Sequence, residues 1–182
     1  MDSGVNTERD ISGLRKTEGE TAPVWFAGGL HFECLGCGRC CRGLPGSVYM
    51  RPAEELRIAA FLGLTAAELR RRYETSRWSF PSLRERADGA CVMLQPGCRC
   101  GVYVCRPLPC RTWPWWPQLL ESPEAWNRAA SHCPGMNSGP LWRADQILKI
   151  LNAHLEYHEK LRREWRKEAG AWKAVSGNSS VK

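Results

Sequence analysis

The sequence predicts a small single domain of α+β class, mostly helical and irregular, stapled by a cysteine-ligated metal site and ending in a long C-terminal helix. Three observations carry that expectation. The 182-residue chain has ten cysteines, all between Cys34 and Cys133, which is too dense for incidental burial. Pro107, Pro109, Pro114 and Pro117 interrupt the cysteine-rich centre, so backbone ladders cannot hold it together. Ile147, Leu148, Leu151, Leu155, Leu161 and Trp165 recur at helical spacing and give one apolar side to a helix over 141–169.

Residues 1–24 read as a disordered leader, polar and mixed in charge with no apolar period. The domain itself spans 25–170, and 171–182 is expected to be a flexible tail. Pro52 with Glu54 and Glu55 behind it is a helix start, Pro at the first position and acids in the first turn. Leu56, Ala59, Ala60 and Leu62 give that helix its apolar side. Thr65 and Glu68 form a capping-box pattern that opens a second helix running to about Tyr73. Cys91–Leu94 and Cys100–Val104 are short β-like runs around a Pro96-Gly97 turn. Pro123 to Ser131 predicts a short helix carrying Trp126.

Composition excludes several classes. A hydrophobic content of 43% excludes a wholly disordered chain. There is no run of about 18 apolar residues to span a membrane, and no apolar h-region of a secretory signal near the N-terminus. A cytoplasmic protein with reduced thiols is therefore expected, not a disulfide framework. The chain carries 26 basic and 19 acidic side chains, a formal +7. The basic charge is spread over 34–134 instead of gathered in one run, which gives a nucleic-acid partner little support. No G-x-S-x-G, P-loop or G-x-G-x-x-G stands in the chain, so hydrolase, NTPase and dinucleotide readings have no footing.

The cysteines form two groups. Cys34-Leu-Gly-Cys37-Gly-Arg-Cys40-Cys41 is a C-x2-C-x2-C-C run. Two intervening residues let successive sulfurs turn back onto one ion, and Gly36 and Gly38 permit the tight turns this needs. Cys40 and Cys41 are adjacent, so their side chains diverge unless the backbone bends sharply, and one of them is expected to serve a different metal or role from its neighbour. The second group is Cys91, Cys98, Cys100, Cys105 and Cys110, with Cys133 further on. Zinc takes four nitrogen or sulfur ligands, and iron–sulfur clusters usually take four thiolates, so the count suits one or two sites. A redox dithiol needs only two sulfurs, fewer than the four packed into residues 34–41.

The order Cys34–Cys41, then Cys91-Val-Met-Leu, then Cys100-Gly-Val-Tyr103 with Arg106-Pro-Leu-Pro-Cys110-Arg111-Thr-Trp-Pro114, resembles the CxxCxxCC cysteine-cluster family (YkgJ-type), a zinc- or iron-chelating domain. The resemblance covers about residues 32–135. It implies Cys34, Cys37, Cys40, Cys41, Cys91, Cys100 and Cys110 as metal ligands, with Cys133 as an eighth. Cys98 and Cys105 fall at positions the family pattern leaves variable and are not expected to ligate. The resemblance implies zinc or iron, the iron either as an ion or in a [4Fe-4S] cluster. Eight thiolates holding two Zn²⁺ would bring the net charge to about +3. A related cysteine motif in flagellin lysine N-methylases raises an enzymatic alternative, a cluster-dependent protein-modifying enzyme. Against it, no Gly-rich strand–turn–helix is present to bind a nucleoside cofactor, and 182 residues leave little chain for a second catalytic domain. An enzyme is accordingly the less favoured reading.

Arg39, Arg42, Arg99, Arg106 and Arg111 each adjoin a cysteine. A guanidinium can stabilise thiolate charge and donate hydrogen bonds to metal-bound sulfur, and Arg106 and Arg111, inside the motif, are the candidates for that role. Trp113, Trp115, Trp116 and Trp126 read as a core plug replacing missing secondary structure; the alternative is a metal-shaped surface in the Trp113–Trp126 stretch that holds a partner protein. His154 and His158 are i, i+4, the spacing of a metal-binding pair, but a polar stripe on the helix is the favoured reading. His31 and His132 adjoin cysteine groups and could replace a cysteine ligand.

Overall fold

The computed structural model describes residues 24–42, 47–77 and 80–175. The expected leader, apart from Val24, and residues 176–182 lie outside that set. The elements in chain order are β1 (Leu30–Phe32), α1 (Pro52–Phe61), α2 (Ala66–Tyr73), β2 (Glu74–Arg77), β3 (Phe80–Leu83), α3 (Leu108–Arg111), α4 (Pro117–Leu120), α5 (Pro123–Ala130), β4 (Met136–Trp142) and α6 (Ala144–Val175). This is a mixed α+β fold, mostly helical, with the long C-terminal helix expected. Among the described residues no helix is long and apolar enough to cross a membrane.

α1 begins with Pro52, and the Glu54 carboxylate accepts from the Arg51 backbone N–H at 3.1 Å. Its apolar side is rotated from the expected one. Leu56 is 60% exposed and Ala60 is exposed, whereas Glu54, Glu55, Ile58 and Ala59 are buried. Two carboxylates can occupy the inner face because each finds cationic or N–H partners there: Glu55 pairs with Arg70 of α2. α2 opens with the Thr65–Glu68 capping box expected of it. Its end runs directly into the β2–β3 hairpin, in which Glu74 faces Leu83 and Arg77 faces Phe80.

The Cys91–Leu94 and Cys100–Val104 runs are not strands. They are turns joined by isolated bridges, Glu85 to Cys91 and Leu94 to Cys100, and Tyr103–Cys105 is a 3₁₀ turn. The strands lie elsewhere: β1 pairs antiparallel with β4, with a register shift between His31 and Phe32. Their pattern is too short and too broken by Gly139 and Pro140 for period-2 alternation to reveal them.

Two apolar clusters make up the core. One gathers Phe26, Phe32, Trp115, Leu120, Trp126, Met136 and Ile147, Leu148 and Leu151 of α6. The other gathers Met50, Ile58, Ala59, Leu69, Leu83, Met93 and Val102. α6 serves both: Leu148 and Leu151 lie in the first cluster, while Trp165 donates its indole N–H to Met50 O of the second at 2.6 Å and Tyr157 donates its hydroxyl to Glu54 of α1.

Tryptophan does the work that ladders do in more regular folds. Trp115 and Trp126 are each 2% exposed and stack with centroids 5.5 Å apart. Indole N–H groups then tie irregular backbone: Trp25 to Leu120 O at 2.8 Å, Trp116 to Pro109 O at 2.9 Å and Trp142 to Phe32 O at 3.0 Å. Buried indoles need such acceptors, and a proline-broken segment offers free carbonyls in abundance. The core plug is therefore what Trp115 and Trp126 form.

Candidate metal centre

Three segments deliver the cysteines. β1 carries the chain to Glu33, whose N–H donates to Gly135 O at 3.0 Å. The first cysteine run follows and ends in a 3₁₀ turn over Arg39–Cys41. Gly38 sits before that turn at φ +68, and a Cβ there would stand 2.7 Å from Cys98 O. Only glycine meets both demands. The second segment docks on the first through backbone, Cys91 N–H to Cys41 O at 2.8 Å. Around it Arg86 donates to Leu94 O at 2.8 Å and Gly101 N–H to Met93 O at 2.8 Å, fixing a loop that has no ladder. The third segment is α3, which holds Cys110.

These segments bring Cys40, Cys41, Cys91, Cys100 and Cys110 within electrostatic reach of one another. Cys40 Sγ and Cys41 Sγ are 4.0 Å apart. The hydrogen bond from Cys41 holds the Cys40 thiol well below the usual range, at about 7, with the Arg106 guanidinium helping and burial opposing. Cys41 is pushed up, first by that same bond, then by burial and the charges of Cys40, Cys91 and Cys110. Burial raises Cys91 and Cys100, with charge on neighbouring thiols adding to it. Cys110 is raised strongly, by burial first and then by Cys91, Cys40 and Cys100. Mutual repulsion of this kind is relieved by a cation, which removes the thiol protons as it binds.

The surroundings suit soft donors. No Asp or Glu occurs in 34–53 or in 89–120, the stretches that carry nine of the ten cysteines, while Arg39, Arg42, Arg99, Arg106 and Arg111 do. Hard oxygen ligands are thus kept out of both loops. Arg106 stacks on Tyr103 with its guanidinium carbon 3.8 Å from the ring centroid, donates to Tyr103 O at 2.9 Å and stabilises thiolate charge at Cys40, Cys100 and Cys110. Arg111 lies 3.8 Å from Glu54 instead. Among the described residues, no group of three or more His, Cys, Asp or Glu side chains is already arranged to hold a metal ion. The donor chemistry fits a soft metal, and the sulfurs are gathered without being closed on a point.

A model of the CxxCxxCC family, described as "Putative zinc- or iron-chelating domain", matches residues 33–134. The chain belongs to the CxxCxxCC family. No solved structure matches it. The matched segment begins one residue before Cys34 and ends one residue after Cys133, so all ten cysteines of this family member fall inside it.

The remaining candidates are distributed as follows. Cys34 is exposed and Cys37 half-buried at the start of the first run. Cys133 is buried in the apolar cluster of Trp115 and Trp126. Cys105 is buried in the other cluster, where burial raises its thiol. Cys98 packs against Gly38 and accepts from Arg42 at 3.7 Å, which puts it beside the first run. The Cys98-Arg99-Cys100 spacing was the signal for that closeness. His31 is exposed with Nδ1 2.8 Å from Gly139 O, and exposed His132 has Nδ1 2.9 Å from Ser131 Oγ. His154 is not part of a solvated stripe. It is 5% exposed, its Nδ1 is 2.8 Å from Thr112 Oγ1, and its ring packs on Trp116. Helical spacing puts i, i+4 residues on one face without saying which face; α3 packing against α6 decides it. Glu54, which the sequence offered only as a helix-start acid, is the charged residue closest in role to the cysteine loop.

Proposed function

We propose that this domain binds zinc or iron through cysteine thiolates, and that the bound metal holds together the three segments carrying them. The observation that supports it is the meeting of Cys40, Cys41, Cys91, Cys100 and Cys110 in a region free of carboxylate donors from the loops themselves. These five thiolates are the inner donors. Cys34, Cys37 and Cys133 complete the set of eight, at the two ends of the matched segment. Bound there, the metal supplies a multivalent positive charge that no arginine can match, together with covalent-like crosslinks between loops. Arg106 stabilises the remaining thiolate charge, and Arg111 acts from further away, through its carboxylate partner.

Zinc in cysteine-only sites and iron in a [4Fe-4S] cluster both satisfy this donor set. Anaerobic purification followed by elemental analysis and a visible spectrum separates them. Iron and acid-labile sulfide in equal amounts with brown colour indicate a cluster; colourless protein with stoichiometric zinc indicates structural sites. Cys40→Ser and Cys110→Ser lower the metal content, whereas Cys105→Ser leaves it unchanged. A protein that folds metal-free with all thiols reduced, and takes up neither metal when offered it, overturns the reading.

A further inference from the structure

We propose that Glu54 is a positioning residue for Cys110, holding the α3 turn so that its thiolate is presented to the metal; this rests on the metal reading above. α3 has four residues, lies between Pro107 and Thr112 and contains Pro109. Its backbone closes a single turn, Arg111 N–H to Pro107 O at 3.1 Å and Thr112 N–H to Leu108 O at 2.9 Å, and one turn is too short to be stable by itself. Its C-terminal end is tied to α6 by Thr112, whose Oγ1 lies 2.8 Å from His154 Nδ1. At its N-terminal end Leu108 N–H donates to Glu54 Oε1 at 2.8 Å, which joins the segment to α1, while the Trp116 indole N–H donates to Pro109 O at 2.9 Å. Cys110 lies between these two fastenings.

Helix α1 does not itself require this arrangement. Glu54 and Glu68 hold the same position three residues past the N-cap of α1 and of α2, and each accepts from its N-cap backbone N–H. The Glu68 box is made at an exposed site with partners from its own helix turn. Glu54, by contrast, is 6% exposed. Beyond the Arg51 N–H it accepts from Leu108 and from the Tyr157 hydroxyl of α6, and Arg57 and Arg111 lie 3.8 Å from Oε1. Both oxygens are therefore engaged in hydrogen bonds, which makes Glu54 an anchor, not a ligand. The extra bonds join α1, α3 and α6 at one carboxylate. They also bury an anion, and Arg57 and Arg111 beside it offset that cost.

The test is zinc affinity by chelator competition together with the thiolate-to-metal charge-transfer band of the cobalt(II) form. Glu54→Ala is expected to weaken zinc binding about 10- to 100-fold, the usual cost of losing an outer support, and to reduce the cobalt band as Cys110→Ser does. In a Cys110→Ser background it should cost nothing further. Leu108→Pro removes the donated N–H at a position that accepts proline and leaves Glu54 in place. It should reproduce the loss, while Leu108→Ala, which keeps the N–H, should not; this pair decides the matter if Glu54→Ala fails to fold. Equal losses with and without Cys110, or an unchanged cobalt band, overturn the inference and leave the metal reading standing. A wild-type chain that binds neither zinc, cobalt nor iron overturns both.

Discussion

Glu74 gives the sharpest quantitative expectation. It is the first residue of β2, 3% exposed, and neither carboxylate oxygen has a hydrogen-bond partner among the described residues. Burial pushes its carboxyl from the ordinary 4.5 up to about 8, with the neighbouring Glu55 charge adding and Arg70 opposing. The folded state thus holds this proton more tightly than the unfolded chain does. Between pH 4.5 and 8 folding takes up a proton, so stability is full below the unfolded value and is lost as pH rises through the folded one. Each unit is worth about 1.4 kcal/mol, which amounts to roughly 5 kcal/mol across the window and about 3 kcal/mol by pH 7.

Other groups slope the opposite way. His154 is buried and held near 3, so it favours folding increasingly as pH rises towards 6.5. Cys40, lowered to about 7, does the same between 7 and 9. The raw pH profile of the protein is therefore a sum of opposing terms, and the difference between wild type and Glu74→Gln isolates the one of interest. Glutamine reproduces the shape and neutrality of the protonated acid. Urea unfolding of both proteins in reducing buffer at one fixed zinc concentration, at pH 5, 6, 7 and 8, should show similar stabilities at pH 5. The variant should then gain steadily on wild type. Parallel curves, or a variant that falls behind at pH 8, would refute the burial argument.

Two further outcomes follow from packing. Trp126→Ala deletes the stack on Trp115 and the bond to Asn137 Oδ1 at 2.7 Å, and should cost about 3–5 kcal/mol in urea unfolding. Gly38→Ala demands a left-handed alanine whose Cβ meets Cys98 O; it should cost about 1–2 kcal/mol and lower zinc affinity, read by chelator competition, because the first run can no longer lie against the second.

What could be read from the sequence depended on the range of the interaction. Helices were legible because their signals are local: Pro52, the Thr65–Glu68 box and the α6 period sit within a turn or two of what they specify. Membership of the CxxCxxCC family was legible because the order and spacing of its cysteines are themselves the pattern. The β1–β4 pair was hidden, since three residues and a bulge cannot display alternation. The rotation of α1 was hidden too. Apolar pattern places Leu56 inward, and only the distant Arg70, Leu108 and Tyr157 make it favourable to bury Glu55 and Glu54 instead.

That last failure points at how the molecule is organised. A carboxylate can displace leucine from an inner face only where several donors already converge, because its desolvation must be met by charge-assisted bonds. The donors around Glu54 come from the start of α1, from α3 and from α6. The α3 segment and its cysteine thus lie between the two apolar clusters, held by polar bonds on one side and exposed to the repulsion of like thiolates on the other. On the proposed function, a metal bound there would firm that joint. The expected consequence is that metal removal loosens α3 and the Cys91–Cys110 loop before it disturbs Trp115, Trp126 and the α6 face that covers them.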